Sequence, residues 1–279
     1  MTQPDETGSV LFDVSDGVAT LTLNEPVRKN SLSTSLLRGC LQALECVRAD
    51  HSVRALLITG AGTAFCVGAD LSDFNPSNPS DPSRSAGQVI GDLLSEGGNP
   101  LVLGLRSLPV PVVCAVNGAA AGGGAGLAFA ADVVIAARSA FFYLPFAPAL
   151  GLVPDIGASW MLPRLVGRAR AFGFTLLGNR LSAQDAAQWG LIWACVDDAE
   201  LMVHGLHIAR RLARLPAHAV QEVRELYRQS EINTFEEHLV LERERQMELA
   251  DRPTFDEGVR AFLERREPQF GSRRQSQSK

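Results

Sequence analysis

The sequence predicts an α/β core followed by a run of helices, and three observations carry that reading. Apolar runs of strand length alternate with helically spaced segments through the first half of the 279-residue chain. Beyond Pro154 helical periodicity dominates, and only helices are expected in the last third. The uncharged stretch 108–131 is long enough for a membrane span but holds Pro109, Pro111, Asn117 and glycines at 118, 122, 123, 124 and 126. Each glycine costs a helix interior about 1 kcal/mol against alanine, so a buried strand, a glycine turn and a buried helix fit this stretch better. With 46% hydrophobic and 20% charged residues the chain can bury a sizeable core.

The elements follow in order. Alternating runs at 10–14 and 18–23 flank Asp16-Gly17, a hairpin signal. Leu36, Leu37, Cys40, Leu41, Leu44 and Val47 recur at helical spacing after Ser33, a good N-cap. Residues 53–59 read as a buried strand ended by Gly60 and Gly62, and 72–87, rich in Ser, Pro, Asn and Asp, as a mobile surface loop that could close over a bound group. A helix over 89–105 is expected to break at Gly97, Gly98 and Pro100. Strands are expected at 110–116, 133–137 and 141–144, with a small-residue helix at 123–131. Helices are expected at 156–166, 168–177, 182–189, 198–215, 217–230, 234–250 and 252–266, and disorder over 271–279. No repeat of fixed period is visible. The division expected is a core over 1–197 and a helical region over 198–279.

Composition excludes several functions. A net charge of -5 and a pI near 5.6 argue against a nucleic-acid partner held by phosphate neutralisation. Five cysteines at 40, 46, 66, 114 and 195 form neither a paired framework nor a metal-binding spacing, and fit a reducing compartment. The first residues carry no signal-peptide pattern, so a cytoplasmic location without membrane attachment is expected. The five histidines (51, 204, 207, 218, 238) lack a nucleophile elbow or a metal partner at i+4. Neither G-x-x-x-x-G-K-[ST] nor G-x-G-x-x-G occurs.

Two loop segments carry more. One is GAGTAFCVGADL at 60–71, after a strand. The other is NGAAAGGGAG at 117–126, between a strand and a helix. Small residues let a ligand approach the backbone, and free N–H groups at a helix start favour negative charge. Jointly they could form an oxyanion hole of backbone donors; singly, each also reads as an ordinary strand-to-helix turn.

Together these segments resemble the crotonase, or enoyl-CoA hydratase/isomerase, family. NEPVRKN at 24–30, AFCVGADL at 64–71, PVVCAVNG at 111–118, GLVPDIG at 151–157, LPRLVG at 162–167, LSAQDAAQWGLI at 181–192 and AFLERREPQF at 261–270 carry the resemblance across nearly the whole chain. It implies a spiral of ββα turns, a C-terminal helical trimerisation region, an acyl-CoA thioester substrate, and no metal or cofactor beyond the coenzyme A of the substrate. A homotrimer or a dimer of trimers is therefore expected. Apolar stripes on the last helices (Leu206, Ala209, Leu212, Ala213; Leu239, Leu241, Met247) point the same way. By the family pattern, the N–H groups of Ala69 and Gly123 hold the thioester oxygen. Ala64, Cys66, Gly68, Gly122 and Phe146 line the substrate, Arg28 and Lys29 lie near the CoA phosphates, and Phe262 and Arg265 cover the adenine end. A family lysine in the first loop is replaced by Ser72.

Membership does not name the reaction. Hydratases of this family use two glutamates; at those places this chain has Gly126 and Ala147, and 141–153 holds no acid. The remaining carboxylate is Asp155, which also reads as a helix N-cap. Several segments resemble the branch of ring-1,2-epoxyphenylacetyl-CoA isomerases, which lacks both glutamates and whose catalytic aspartate matches Asp155. Leu152, Val153, Pro154 and Ile156 are expected to surround that carboxylate and raise its pKa. Asp70 reads as a structural hydrogen-bonding residue near the substrate. The resemblance thus implies an isomerase with one aspartate as proton shuttle. An enoyl-CoA hydratase and a non-catalytic acyl-CoA-binding protein stay open as alternatives.

Overall fold

The computed structural model describes residues 8–74 and 83–271. Half of the loop expected at 72–87 and nearly all of 271–279 lie outside the described residues.

The hairpin forms as β1 (Val10–Ser15) and β2 (Val18–Leu23), with Asp16 and Gly17 both at positive φ, the geometry a two-residue I′ turn demands. α1 (Thr34–Ala49) starts where expected: the Leu36 N–H donates to Ser33 Oγ, and Leu36, Leu37, Cys40, Leu44 and Val47 are buried. β3 (Ala55–Gly60) is buried along nearly its whole length, as a parallel strand covered on both faces must be.

From β3 onward the chain winds as a spiral. β3, β5 (Val112–Val116), β7 (Val133–Ala137) and β10 (Ala194–Val196) extend one six-stranded sheet of order β1-β2-β3-β5-β7-β10, parallel except at β1–β2. β4 (Ala64–Cys66), β6 (Ala119–Ala121), β8 (Phe141–Tyr143) and β9 (Leu181–Ser182) form a second sheet in that order. The turns β3–β4, β5–β6 and β7–β8 thus lay one strand in each sheet and leave by helix: α2 (Ala86–Leu93) and α3 (Asn99–Arg106), then α4 (Gly123–Phe129), then α5 (Ala158–Leu177), which leads first to β9. The repeat is structural only.

Three expectations are corrected. The strands β4, β6, β9 and β10 were not foreseen; at two or three residues, with Ala-Ala-Ala in β6, they carry no period and little β-propensity. β10 also places a strand in the last third, where only helices were expected. The break expected at Gly97, Gly98 and Pro100 is instead a π turn over Leu94–Gly98 within one helical path, with Pro100 directly after it in the first turn of α3. The stretch 108–131 resolves into β5, β6 and α4, and no helix among the described residues is long and apolar enough to cross a membrane.

α6 (Ala183–Gln188) leads into β10, and α7 (Leu201–Ala213) then lies across the large sheet, with Gly205 set against Leu57 and Ala115. Leu206, Ala209, Leu212 and Ala213 pack on this chain's own core, so that stripe is already covered. α8 (Ala219–Ser230) is tied down by Arg224. Its guanidinium pairs with both Asp132 oxygens at 2.7 and 2.6 Å and donates to the carbonyls of Arg106, Leu108 and Val110. α9 (Phe235–Ala250) and α10 (Pro253–Glu264) follow and pack mainly on one another and on α8.

Candidate active site

Two chain segments meet at the end of the small sheet. β4 pairs with β6 in parallel, so the turns that leave them, 67–70 and 122–123, emerge side by side. The backbones touch there: a β-carbon at Gly68 would lie 3.0 Å from both Gly123 N and Ala121 O, and φ at Gly68 is +79°. Only glycine meets both demands. Asn30, wholly buried, fixes the first segment: its Nδ2 donates to the carbonyls of Ala61 and Ala64 at 3.0 and 2.9 Å, and its Oδ1 accepts from Glu25 N–H. Leu32 N–H adds a bond to Gly68 O at 2.9 Å. The second segment is pinned by Gly122 N–H donating to Tyr143 O. The amides of Ala69 and Gly123 take no acceptor among the described residues.

Asp155 flanks α4. Its carbonyl would lie 3.2 Å from a β-carbon at Gly126, one turn beyond Gly123. The carboxylate Oδ1 is buried and without a hydrogen-bond partner among the described residues. Burial pushes the carboxyl pKa up to about 6. The helix-cap reading of Asp155 fails: α5 is preceded by Gly157 at the cap position, with no side-chain cap bond. Instead Asp155 opens a tight turn. Ala158 N–H donates to Asp155 O at 2.9 Å, and both central residues, Ile156 (φ +47°) and Gly157 (φ +76°), are left-handed. For a β-branched side chain that conformation costs roughly 1–2 kcal/mol.

Matched to known families, residues 13–273 fit the enoyl-CoA hydratase/isomerase family model. The chain belongs to the enoyl-CoA hydratase/isomerase family. The 1,2-epoxyphenylacetyl-CoA isomerase of Escherichia coli is 46% identical over 261 residues, 94% of this chain and 97% of that protein. A Rhodobacter capsulatus protein named a probable enoyl-CoA hydratase is 41% identical over 265 residues, 95% of this chain and 98% of its own. The crystal structure of an enoyl-CoA hydratase from Polaromonas sp. JS666 superposes with a TM-score of 0.86 at 31% identity, covering 95% of this chain and 100% of that one. The spiral fold read from the resemblance is therefore correct.

The other candidate residues of this family member fall into two groups. Gly68, Ala69, Gly122, Gly123 and Phe146 come together, with the Phe146 ring 3.8 Å from where a Gly122 β-carbon would stand. Arg28 is adjacent through Asp70: its Nε and Nη2 donate to Asp70 Oδ2 at 3.2 and 2.9 Å. Ser72 donates to Asp70 Oδ1 from both its N–H and its hydroxyl, and these bonds hold the Asp70 carboxyl down at about 2. Lys29 is exposed beside Arg28, in a left-handed residue that ends a short 3₁₀ turn. Ala64 and Cys66 are buried in β4; burial pushes the Cys66 thiol up to about 12, so it is an apolar filler rather than a nucleophile. Phe262 and Arg265 are not brought to this site within one chain. Phe262 is 82% exposed and stands on α10, whose main packing is on α9.

Of the apolar residues expected around Asp155, Ile156 is buried, while Leu152 and Val153 are 44% and 78% exposed. Asn30, Leu32 and Ile156 were not singled out as site residues from the sequence. Asn30 sat in a quoted motif, but nothing in residue order announces a left-handed isoleucine.

Proposed function

We propose that the protein is an acyl-CoA isomerase in which Asp155 is the single proton shuttle. The observation that carries this is Asp155 itself, a half-buried carboxylate with an unpaired oxygen and a pKa near 6, beside the helix that begins with a free amide. A base must be unpaired to accept a proton and poised near the working pH. The amides of Ala69 and Gly123 hold the thioester oxygen, and each such donor contributes about 3–4 kcal/mol as charge moves onto it. Asp155 takes a proton from the carbon next to the thioester carbonyl, the enolate spreads into the adjacent double bond, and Asp155 returns the proton at the far end. Atoms balance without water or an external redox partner.

Arg28 and Lys29 face the CoA phosphates, with Asp70 holding Arg28 in register. Phe146, Gly68 and Gly122 line the thioester. The 1,2-epoxyphenylacetyl thioester named for the Escherichia coli relative is the first substrate to try. The hydratase reading is supported by the names of several relatives, among them the Rhodobacter capsulatus protein and the Polaromonas structure. Against it, the place of one hydratase glutamate is Gly126, where even a β-carbon would lie 2.7 Å from Ile156 O. Incubation with a panel of acyl-CoA esters read by mass and ultraviolet change tests the choice. Isomers of unchanged mass are expected, and a gain of one water on crotonyl-CoA at comparable rate would favour the hydratase.

A homotrimer, or a dimer of trimers, belongs to the same proposal. Tyr227, Phe235, Met247, Phe262 and Leu263 are all largely exposed on α8–α10, more apolar surface than a monomer usually leaves open. In that assembly Phe262 and Arg265 reach a neighbour's adenine site. Sedimentation at micromolar concentration should give the trimer mass or its double; a monomer would contradict it.

A further inference from the structure

We propose that Ile156 is a positioning residue that locks the Asp155 carboxylate to the Gly123 amide, so that base and oxyanion donor hold one spacing. The inference rests on Asp155 acting as the base. Its ground is where the left-handed turn sends this one side chain. Ile156 is 5% exposed, and its Cδ1 lies 2.6 Å from the place of a Gly123 β-carbon and 3.1 Å from that of a Gly98 β-carbon. The side chain therefore wedges between the backbone of the π turn over Leu94–Gly98 and the first residue of α4. Leu32 Cδ1 closes the other side of Gly123 at 2.9 Å from the same point. The Ile156 carbonyl is set against Gly126, 2.7 Å from the place of its β-carbon. One residue thus grips α4 at two points, Gly123 with its side chain and Gly126 with its main chain. It is bonded directly to Asp155.

An isoleucine is an unfavourable choice for positive φ, and the next residue shows that glycine is available to this turn. The strained residue persists because the wedge over-determines it. Two glycines leave the space for it: alanine at 98 or 123 would press on the Ile156 side chain. A turn made only to reverse the chain would need none of this. A slack Asp155 would sit by turns nearer and farther from the proton it must take, and misplacement on the order of 1 Å costs up to about a hundredfold in rate.

The test compares Ile156→Val, Ile156→Gly and Asp155→Asn in the full chain, with 3-hexenoyl-CoA as probe and its conversion to the conjugated 2-enoyl thioester as readout. Ile156→Val keeps the branched backbone preference and loses only the δ-methyl that reaches Gly98 and Gly123. Ile156→Gly frees the turn. Expected are losses in kcat of roughly threefold for Val and tenfold or more for Gly, with KM within about twofold. The acid limb of kcat should move from near 6 toward the ordinary carboxylate range in the Gly variant, as water reaches the loosened Asp155. A residue that only packs would lower the melting temperature and leave kcat per folded molecule and the acid limb where they were. If both Ile156 variants turn over like the parent while Asp155→Asn is inactive, the positioning role is overturned and the base stands. If Asp155→Asn is as active as the parent, the base reading fails and takes this inference with it. Should Ile156→Gly not fold, the Val variant decides by the same readouts.

Discussion

Replacing Asp155 by asparagine should make the protein more stable at neutral pH, because the native fold holds a carboxylate where it is poorly solvated and one of its oxygens has no partner. The carboxyl rises from 3.8 to about 6 on folding through loss of water. The folded chain therefore binds this proton more tightly than the unfolded chain does. Between about pH 4 and 6 the native state carries more protons, so stability falls as pH rises through that window, and the full deficit is present above it. About two pH units correspond to about 3 kcal/mol, an upper bound. Asparagine keeps the shape and removes the charge but leaves a polar group with no partner at Oδ1, so a net gain of about 1–2 kcal/mol is expected. Urea unfolding of both proteins at one fixed concentration reads it, since an oligomer's apparent stability depends on concentration. The variant should exceed the parent at about pH 8, and the gain should shrink by more than half at about pH 4.5. Equal stability at both pH values, or a less stable variant at the higher one, would refute the reasoning: the carboxylate would then be solvated or paired.

Two further changes probe other parts of the structure. Gly126→Glu should not create hydration of crotonyl-CoA and should destabilise the fold, because its β-carbon collides with the Ile156 carbonyl; measurable water addition by a folded variant would contradict this. Arg224→Met should cost about 3 kcal/mol in urea unfolding by stranding Asp132 and three carbonyls between α8 and the core, and a loss under about 0.5 kcal/mol would show the clasp to be ornamental.

Much of this was legible in residue order because local chemistry announced it. Asp16-Gly17 demands the turn it makes, Ser33 caps the helix it precedes, and the strand–glycine–helix pattern through 108–131 excluded a membrane span. β4, β6, β9 and β10 escaped notice because two or three residues carry no period; only the winding of the chain brings each beside its partner strand. Asp155 was legible as the remaining carboxylate of its segment. Its two readings, cap and base, could not be separated until Gly157 occupied the cap position and Oδ1 was left bare. The left-handed turn at Ile156 and Gly157, which buries the Ile156 side chain, carries no signal in residue order. The stripe on α7 was similarly ambiguous, since an apolar helix face does not say whether its own core or another subunit covers it.

The central claim is that Asp155 moves the proton, and turnover of Asp155→Asn on every acyl-CoA ester the parent isomerises tests it most directly. The account predicts that CoA-ester affinity stays within about twofold, while kcat falls by roughly a hundredfold or more, the range for a lost general base. An Asn variant that isomerises these esters at nearly the parental rate, with the fold intact, would contradict it.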